Sequence, residues 1–306
     1  MVDRVNSLIE NSLAPSSYAS YNRAWTLFHN CMNELGIDFQ FSKSLPLSPN
    51  QVLLFVGYLD VKDYSPNSLY TYISALSYIH KLKAYPDPTI SFSVQKAISG
   101  AVKNRRSLDT RRPITVDILK KMVAALQHTV TSLYLRALFR AMYSVSFFAL
   151  MRIGEVTVDT QGAVAIFFHQ VTFQQNHLTI SITHFKHNLS NQPFDLVVTP
   201  QNDHNICPIK ALLNYFTFRG TANGPLFCFS NLRPIPREFF TRHLRQVVSF
   251  CQLEPGVFKS HSFRIGGASH YAEMGFSDEQ IRLMGRWKST AFRKYIRSQK
   301  IIAALN

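Results

Sequence analysis

Residues 103–113 divide this chain, because they carry five basic side chains and none of the apolar spacing found on either side. A charged stretch without apolar periodicity, between periodic segments, is typical of a connection between folded parts. A length of 306 residues also favours two domains over one. We therefore predict a domain at 1–103, a linker at 104–114 and a second domain at 115–306, with these basic residues in or beside the linker: Lys103, Arg105, Arg106, Arg111 and Arg112.

The first hundred residues have apolar positions three and four apart, as on one face of a helix. This spacing predicts four helices between about residues 15 and 103. We expect the serines at 16–17 to cap the first, and Ser48 and Ser65, each followed by proline, to cap the next two. A weaker pattern from Phe92 to Val102 predicts the fourth helix.

The second part mixes helical and strand patterns. Thr115 precedes one predicted helix, and a long apolar helix runs from Leu133 to Leu150. Pro208, Pro236, His261, Ser277 and Tyr295 mark further helices, and β-branched and aromatic runs predict a small antiparallel sheet. The expected fold class is mainly α with a small antiparallel β-sheet, whose strands we place at Ala163–Phe168, His177–Thr183 and Phe194–Val198.

Charge points to a polyanionic partner. Lys and Arg total 33 against 18 Asp and Glu, a net charge of +15 and a pI near 9.8. Nucleic acid is the commonest partner of so basic a chain, although a basic protein without a polyanionic partner is the alternative. The predicted linker would lie along a phosphate backbone, or else form a solvated charge run.

The cysteines and apolar runs bear on the protein's environment. Cys31, Cys207, Cys228 and Cys251 show no metal-ligand spacing, so we expect reduced thiols in an intracellular protein. The apolar runs are shorter than the ~20 residues that cross a bilayer, and no basic-then-apolar signal segment opens the chain. We expect a soluble protein without a membrane partner.

Arginine and histidine provide candidate anion-binding groups. Arg152 follows the long apolar helix, where an arginine is costly unless it is paired or faces an anion. Glu155 is a possible partner, and a purely structural Arg–Glu bridge is the alternative. His261 and Arg264 are three residues apart and share one face at the first turn of a helix, which itself favours anions.

A lysine and a tyrosine complete the candidate set. Lys186 lies in a predicted hairpin turn, where its amine could protonate a leaving oxygen, unless it is only an exposed turn lysine. Tyr295 lies among Arg293, Lys294 and Arg297, and a phenol with a pKa of ~10 needs such cations to act as a nucleophile. Two arginines would stabilise the charge on a phosphate without a metal, and no acidic cluster suggests two-metal chemistry.

The ordered set Arg152, Lys186, His261-x-x-Arg264, Trp287 and Tyr295 resembles the active site of the tyrosine recombinase superfamily. The resemblance covers nearly the whole chain. It implies a four-helix, SAM-like DNA-binding domain followed by an α+β catalytic domain. It also implies double-stranded DNA with a specific target site as partner, a homotetramer acting on two sites, and no cofactor or metal.

The resemblance further implies a role for each residue. Tyr295 would attack the scissile phosphate and form a 3′-phosphotyrosine, while Lys186 would protonate the leaving 5′-oxygen. Arg152 and Arg264 would hold the non-bridging oxygens, and His261 would assist proton transfer. The resemblance also gives Trp287 the task of contacting or supporting the phosphate, and Glu155 that of positioning its neighbours.

Two positions depart from the superfamily pattern. Ile265 stands where many prokaryotic members have a second histidine, and Met284-Gly285-Arg286-Trp287 replaces the usual Leu-Gly-His stretch, so Arg286 is an alternative to Trp287. The amino-acid sequence around His261 and Tyr295 is most similar to that of recombinases of eukaryotic DIRS-like and Crypton-like elements. That similarity implies a mobile-element integrase in the nucleus, or otherwise in the cytoplasm or nucleoid. A type IB topoisomerase-like enzyme and a non-catalytic DNA-binding derivative are the alternatives.

Overall fold

The computed structural model describes residues 1–10, 12–41, 44–105, 109–158, 166–183 and 192–296. The chain divides into two units, residues 1–109 and residues 110–306. The prediction of a mainly helical chain with a small antiparallel sheet is confirmed. No helix in the described ranges has the length and apolar character that crossing a membrane would require.

The first unit is helical throughout its described elements. A short 3₁₀ helix at Pro88–Ile90 precedes the last helix. Phe28 and Phe55 lie at the centre of the core, with ring centroids 5.2 Å apart and no exposed surface. The helices are α1 (Val2–Glu10), α2 (Pro15–Glu34), α3 (Pro49–Val61), α4 (Pro66–Leu82) and α5 (Phe92–Asn104).

Local capping signals fix where most of these helices begin. The Ser48 hydroxyl accepts from the Gln51 N–H, and the Gln51 side chain accepts from the Ser48 N–H at 2.8 Å, which confirms the predicted capping box. Ser65 caps α4 in the same way by accepting from Ser68. The prediction for residues 16–17 is wrong, because α2 begins at Pro15 and Ala14, which has no capping side chain, takes the cap position.

In the structure, both ends of the predicted linker belong to folded parts of the chain. Asn104 still belongs to α5, and Ile114 is fully buried in the core of the second unit. Arg105 folds back onto the first unit, where its guanidinium contacts Asp60 at 3.0 Å and Asp63 at 2.9 Å. The structure thus gives Arg105 two acidic partners, and its contact with a phosphate stays a prediction.

The second unit combines seven described helices with a three-stranded sheet. Further 3₁₀ turns lie at Phe168–Gln170 and Thr290–Lys294, so the helix predicted around Tyr295 is a 3₁₀ turn that ends just before it. The elements are α6 (Val116–Thr129), α7 (Leu133–Phe148), α8 (Ile153–Val156), β1 (Val171–Phe173), β2 (Leu178–Ile182), β3 (Phe194–Val198), α9 (Pro208–Arg219), α10 (Arg237–Phe250), α11 (Ser260–Glu273) and α12 (Asp278–Met284).

The sheet is antiparallel, with β2 between its neighbours. Ile180 lies opposite Val171 of β1 and Leu196 of β3, and alternate residues of β2 are buried in the core. Of the strand predicted at Ala163–Phe168, residues 163–165 lie outside the described residues, and the described part forms one bridge, Phe167 to Pro225, and then a 3₁₀ turn. An apolar run alone does not distinguish such a segment from a strand.

Two glycines let α11 approach the rest of the core closely. A Cβ on Gly266 would overlap the carbonyl oxygen of Ile114, and one on Gly267 would overlap that of Phe147 at the end of α7. Both obstacles are backbone atoms, which cannot rotate away as a side chain can. The position of α11, and of every side chain that it carries, therefore depends on these two glycines.

We expect Gly266→Ala to lower the free energy of unfolding of the second unit by roughly 1–3 kcal/mol, the usual cost of overpacking a core. Thermal and denaturant unfolding would measure the change. Gly154→Ala is the matched control, because Gly154 is also helical, lies in the same unit and has open space where the new methyl group would go. Equal stability of the two variants would contradict the close approach of α11.

Candidate active site

The end of α7, the start of α11 and the turn after α12 meet in the second unit. The structure brings together there the following candidates, including both alternatives at positions 286 and 287: Arg152, Glu155, His261, Arg264, Arg286, Trp287 and Tyr295. Lys186 lies outside the described residues, as does Arg106 of the predicted linker.

A sharp turn after α7 places Arg152 in the candidate site. Leu150 has φ of 47°, a left-handed conformation that ends the helix and redirects the chain. Arg152 then caps the short helix α8, and its N–H donates to Glu155 at 2.8 Å. Its guanidinium donates to the other carboxylate oxygen at 2.9 Å and remains 23% exposed. Arg152 is therefore both paired and accessible to an anion.

Glu155 is the buried centre of the site. Its side chain is 4% exposed, and it receives a second guanidinium from Arg286 at 2.6 Å. Burial alone would raise the pKa of the Glu155 carboxyl, but the charges of Arg286 and then Arg152 outweigh it and lower that pKa. The carboxylate is thus ionised and joins two segments more than 130 residues apart.

Arg264 is more deeply placed than Arg152. It is 1% exposed and donates to the main-chain carbonyls of Leu150 and Gly285. The Trp287 ring covers its guanidinium, with the Cζ atom 4.0 Å from the ring centroid. Burial, followed by the charges of Arg152 and Arg286, holds the pKa of Arg264 well below its usual value. A phosphate can reach this guanidinium only if a covering side chain moves.

The site has an excess of positive charge. Glu155 is bonded to Arg152 and Arg286, whereas Arg264 is bonded only to main-chain carbonyls, and two of the three arginines are almost fully buried. Burying unpaired charge is costly, and proteins accept the cost mainly where an anion will bind. The arrangement therefore favours a phosphate or a similar anion near the exposed edge of Arg152.

Tyr295 lies at this edge, packed between two rings. Its ring centroid is 4.9 Å from that of His261 and 5.4 Å from that of Trp287. Phe292, one turn earlier, is 2% exposed and anchors the segment in a small core with Leu150 and residues of α11 and α12. The phenol is thus placed beside the histidine and the arginine cluster.

The two alternatives at positions 286 and 287 have different surroundings. Arg286 has φ of 54°, which turns its side chain inward to Glu155, and it is 1% exposed. Trp287 is half-buried and contacts both Arg264 and Tyr295. The assignment of Trp287 to the phosphate side stays a prediction, and these contacts favour it over Arg286.

The structure adds two residues that the sequence did not single out. The Ser269 hydroxyl contacts the carbonyl oxygen of Tyr295 at 3.1 Å, and a Cβ on Gly285 would overlap the ring of Trp287. Ser269 follows His261 by eight residues on the same helix, a spacing that could have indicated it. No sequence signal distinguishes Gly285 from an ordinary helix-terminal glycine.

Metal chemistry has no donor set among the described side chains. No group of three or more His, Cys, Asp or Glu residues converges there. The four cysteines are free thiols, and three of them are buried.

Solved structures of recombinases and integrases have the same fold. A XerH site-specific recombinase bound to palindromic difH substrate superposes with a TM-score of 0.65 at 15% identity, covering 94% of this chain and 78% of that one. A lambda integrase dimer bound to a COC′ core site gives 0.63 at 13% identity, covering 97% and 76%. The Tn1549 transposon integrase in complex with circular intermediate DNA gives 0.59 at 10% identity, covering 92% and 99%. No protein-family model and no curated protein matches the sequence. These likenesses show that the chain has the tyrosine recombinase fold.

We expect Gly285→Ala to push the Trp287 indole off Arg264, because the new methyl group would occupy the place of the ring. The chain has two tryptophans, so a Trp25→Phe background makes Trp287 the only emitter. The emission maximum should move to longer wavelength and acrylamide quenching should increase. Gly256→Ala, in a loop of the same unit, should change neither quantity. An unchanged emission spectrum in Gly285→Ala would show that the indole does not pack there.

Proposed function

We propose that this protein is a site-specific DNA strand-transfer enzyme, a recombinase or integrase that cuts and rejoins DNA through a 3′-phosphotyrosine. One observation carries the proposal: Tyr295 and His261 lie beside a cluster of three arginines, with Glu155 as the carboxylate bonded to two of them. A nucleophilic phenol beside a cluster with excess positive charge suits attack on a phosphodiester. The shared fold with DNA-bound recombinases supports the same function.

The proposed reaction conserves the phosphate ester. The Tyr295 oxygen forms a bond to phosphorus, the bond from phosphorus to the 5′-oxygen breaks, and the phenol loses its proton. Arg152 and Arg264 neutralise the charge that builds on the non-bridging oxygens. A 5′-hydroxyl from another strand then attacks the tyrosyl ester, which re-forms the DNA backbone and releases the phenol.

Proton transfer falls to His261 and Lys186 in this proposal. His261 lies against the Tyr295 ring, so it is placed to assist removal of the phenolic proton. Lys186, outside the described residues, would protonate the leaving 5′-oxygen. Arg264 would act only after the Trp287 indole moves aside, because that ring covers its guanidinium.

Exposed arginines on and just before α10 supply a surface for duplex DNA. Arg233 and Arg242 lie over the rings of Phe229 and Phe239 at 5.7 Å and 5.6 Å, and the two rings are 4.9 Å apart. Arg237 and Arg242, with Arg245, are exposed and form no salt bridge with other described residues. Basic side chains held on aromatic rings suit contact with a phosphate backbone.

The first unit offers a different kind of surface. Helices α2 and α4 pack together, and a polar groove opens between them. Its hydroxyl groups can donate to phosphate oxygens, or donate to and accept from base edges, without adding charge. Those of Ser20, Thr71 and Ser74 donate to carbonyls of their own helices in this structure and are left as acceptors. We propose that this groove also faces DNA, and its lining residues are Ser16, Ser17, Ser20, Tyr21, Thr71 and Ser74.

The biological setting belongs to the same proposal. The wording around His261 and Tyr295 resembles recombinases of eukaryotic mobile elements, so we propose a mobile-element integrase that acts in the nucleus. We propose that it works as a homotetramer on two DNA sites. Lambda integrase bound to a core site is a dimer in its solved structure, so assemblies on DNA do occur with this fold.

Tyr295→Phe should abolish covalent DNA attachment while leaving DNA affinity within about twofold, since the ring still packs on His261 and Trp287. The target duplex would first be selected from random-sequence DNA by binding to the wild-type protein. A nicked form of that duplex traps the covalent adduct, which a denaturing gel detects.

Tyr85→Phe is the control, because Tyr85 belongs to the first unit, whereas the described residues of the candidate site all belong to the second. Adduct formation by Tyr295→Phe, or none by wild type, would refute the assignment. Relaxation of plasmids that lack the selected site, without recombinant products, would instead favour topoisomerase-like chemistry.

Replacing Arg242 and Arg245 with glutamine should weaken non-specific DNA binding and flatten its salt dependence. The log–log slope should fall by about 0.9 for each phosphate that the protein no longer neutralises. Fluorescence anisotropy with a labelled duplex at several salt concentrations measures the slope. Lys120→Gln removes a charge from the same unit, but Lys120 is paired with Asp203, so this variant should keep the wild-type slope. An unchanged slope in the double variant would exclude α10 as a DNA surface.

A further inference from the structure

The Arg286 side chain points into the protein and is buried among described residues. Its Nη2 atom lies 2.6 Å from Glu155 and 3.4 Å from the Leu150 carbonyl oxygen, and its Nη1 atom donates to Met284 at 3.2 Å. The side chain is 1% exposed, whereas that of Arg152 is 23% exposed. The Nε atom is the one Arg286 donor without a hydrogen-bond partner among the described residues, and it too is buried, so no donor of Arg286 is exposed at the edge where Tyr295 lies.

Arg286 and Arg152 both form ion pairs with the Glu155 carboxylate. The Oε2 atom accepts from Arg286 and from the Arg152 main-chain N–H, and the Oε1 atom accepts from the Arg152 guanidinium. Without Arg286, the only guanidinium bonded to Glu155 would be that of Arg152. A buried carboxylate holds its one cation tightly, and that cation is then less able to attract a second anion.

The main chain beside Arg286 fixes the other two arginines. The Arg286 carbonyl oxygen accepts from the Arg152 Nη2 atom at 3.1 Å, and the carbonyl oxygen of Gly285 accepts from Arg264. The bond from the Arg286 side chain to Glu155 holds this turn against α8. Thus one residue sets the positions of two guanidiniums that lie closer to the proposed phosphate.

We propose that Arg286 is a positioning residue, which acts through Glu155 to leave the positive charge of Arg152 available to the phosphate and to hold Arg152 in place, and does not itself bind the phosphate. This inference rests on the proposed function. It assigns the phosphate-side role at this turn to Trp287. Glu155 and Arg286 together then position Arg152.

A paired substitution tests this role. Arg286→Met should slow single-turnover cleavage of the nicked, selected duplex at saturating DNA by roughly tenfold or more, because Glu155 then neutralises Arg152. Glu155→Gln combined with Arg286→Met removes both charges and restores the original net charge of the cluster. We expect this double variant to recover most of the lost rate, with duplex affinity within about twofold of wild type throughout.

One result of this test would refute the positioning role. If Arg286 binds the phosphate directly, the double variant will be no faster than Arg286→Met, and the proposal fails. Lys120→Met, a substitution in a surface ion pair of the same unit, should leave the rate unchanged. If Arg286→Met does not fold, Glu155→Gln alone gives the comparison: the double variant should be no slower than Glu155→Gln, because Arg286 then has no carboxylate to act through, and a slower one overturns the proposal.

A measurement without DNA separates this role from the proposed function. In the Trp25→Phe background, Trp287 emission reports sulfate binding at Arg264 and Arg152. Sulfate should bind several-fold more weakly to Arg286→Met and regain its affinity in the double variant. Equal weakening in both overturns the positioning role. If wild type forms no adduct but this pattern appears, the strand-transfer function fails while the role of Arg286 stands.

Discussion

The shared carboxylate of Glu155 is the interaction on which the candidate site depends. It is buried and bonded to two guanidiniums whose residues are 134 positions apart in the sequence. A buried ion pair stabilises little in net terms, because desolvation offsets the attraction, but removing one partner is strongly destabilising. The pair therefore acts mainly as a geometric constraint, holding the turn after α7 against the turn after α12.

Left-handed residues mark both of these turns. Leu150 and Arg286 have φ of 47° and 54°, values that non-glycine residues adopt at some cost. The carbonyl oxygen of Leu150 accepts from Arg264 and Arg286, and that of Arg286 accepts from Arg152. The arginines that form the cationic site are thus the same groups that hold its strained backbone. An anion that competes for these donors would loosen the turns, which gives the Trp287 segment a physical reason to move on binding.

Sequence patterns predicted what is decided locally. The caps at Ser48, Ser65, Thr115 and Ser277 are confirmed, because each depends on a hydroxyl and an N–H three residues away. The third strand was predicted at its observed bounds, because the residue pattern that indicates it lies within the strand itself. One local prediction is wrong, since Ala14 takes the cap position expected at Ser16 and Ser17. Contacts between distant residues could not be predicted. Arg105 has the sequence context of a linker cation, and only the fold shows its acidic partners in the first unit.

The choice between Arg286 and Trp287 stayed open in the sequence for the same reason, because the partner of Arg286 is 131 residues away. Spacing places two residues on one face of a helix, but it does not say which of two neighbours turns inward. A left-handed φ at Arg286 makes that difference, and arginine carries no local signal for it.

Charge is divided unevenly along the chain, and this division bears on how DNA would be held. Residues 1–109 carry ten Lys and Arg against eight Asp and Glu, whereas residues 110–306 carry 23 against ten. Counterion release scales with the cations that meet phosphates, so the second unit must supply most of the salt-sensitive affinity. The first unit, nearly neutral and lined with hydroxyl groups along its groove, is suited to hydrogen bonds that depend on the shape and sequence of the duplex. Selectivity and electrostatic attraction would then reside in different units, and changing the charge of one would leave the other's contribution intact.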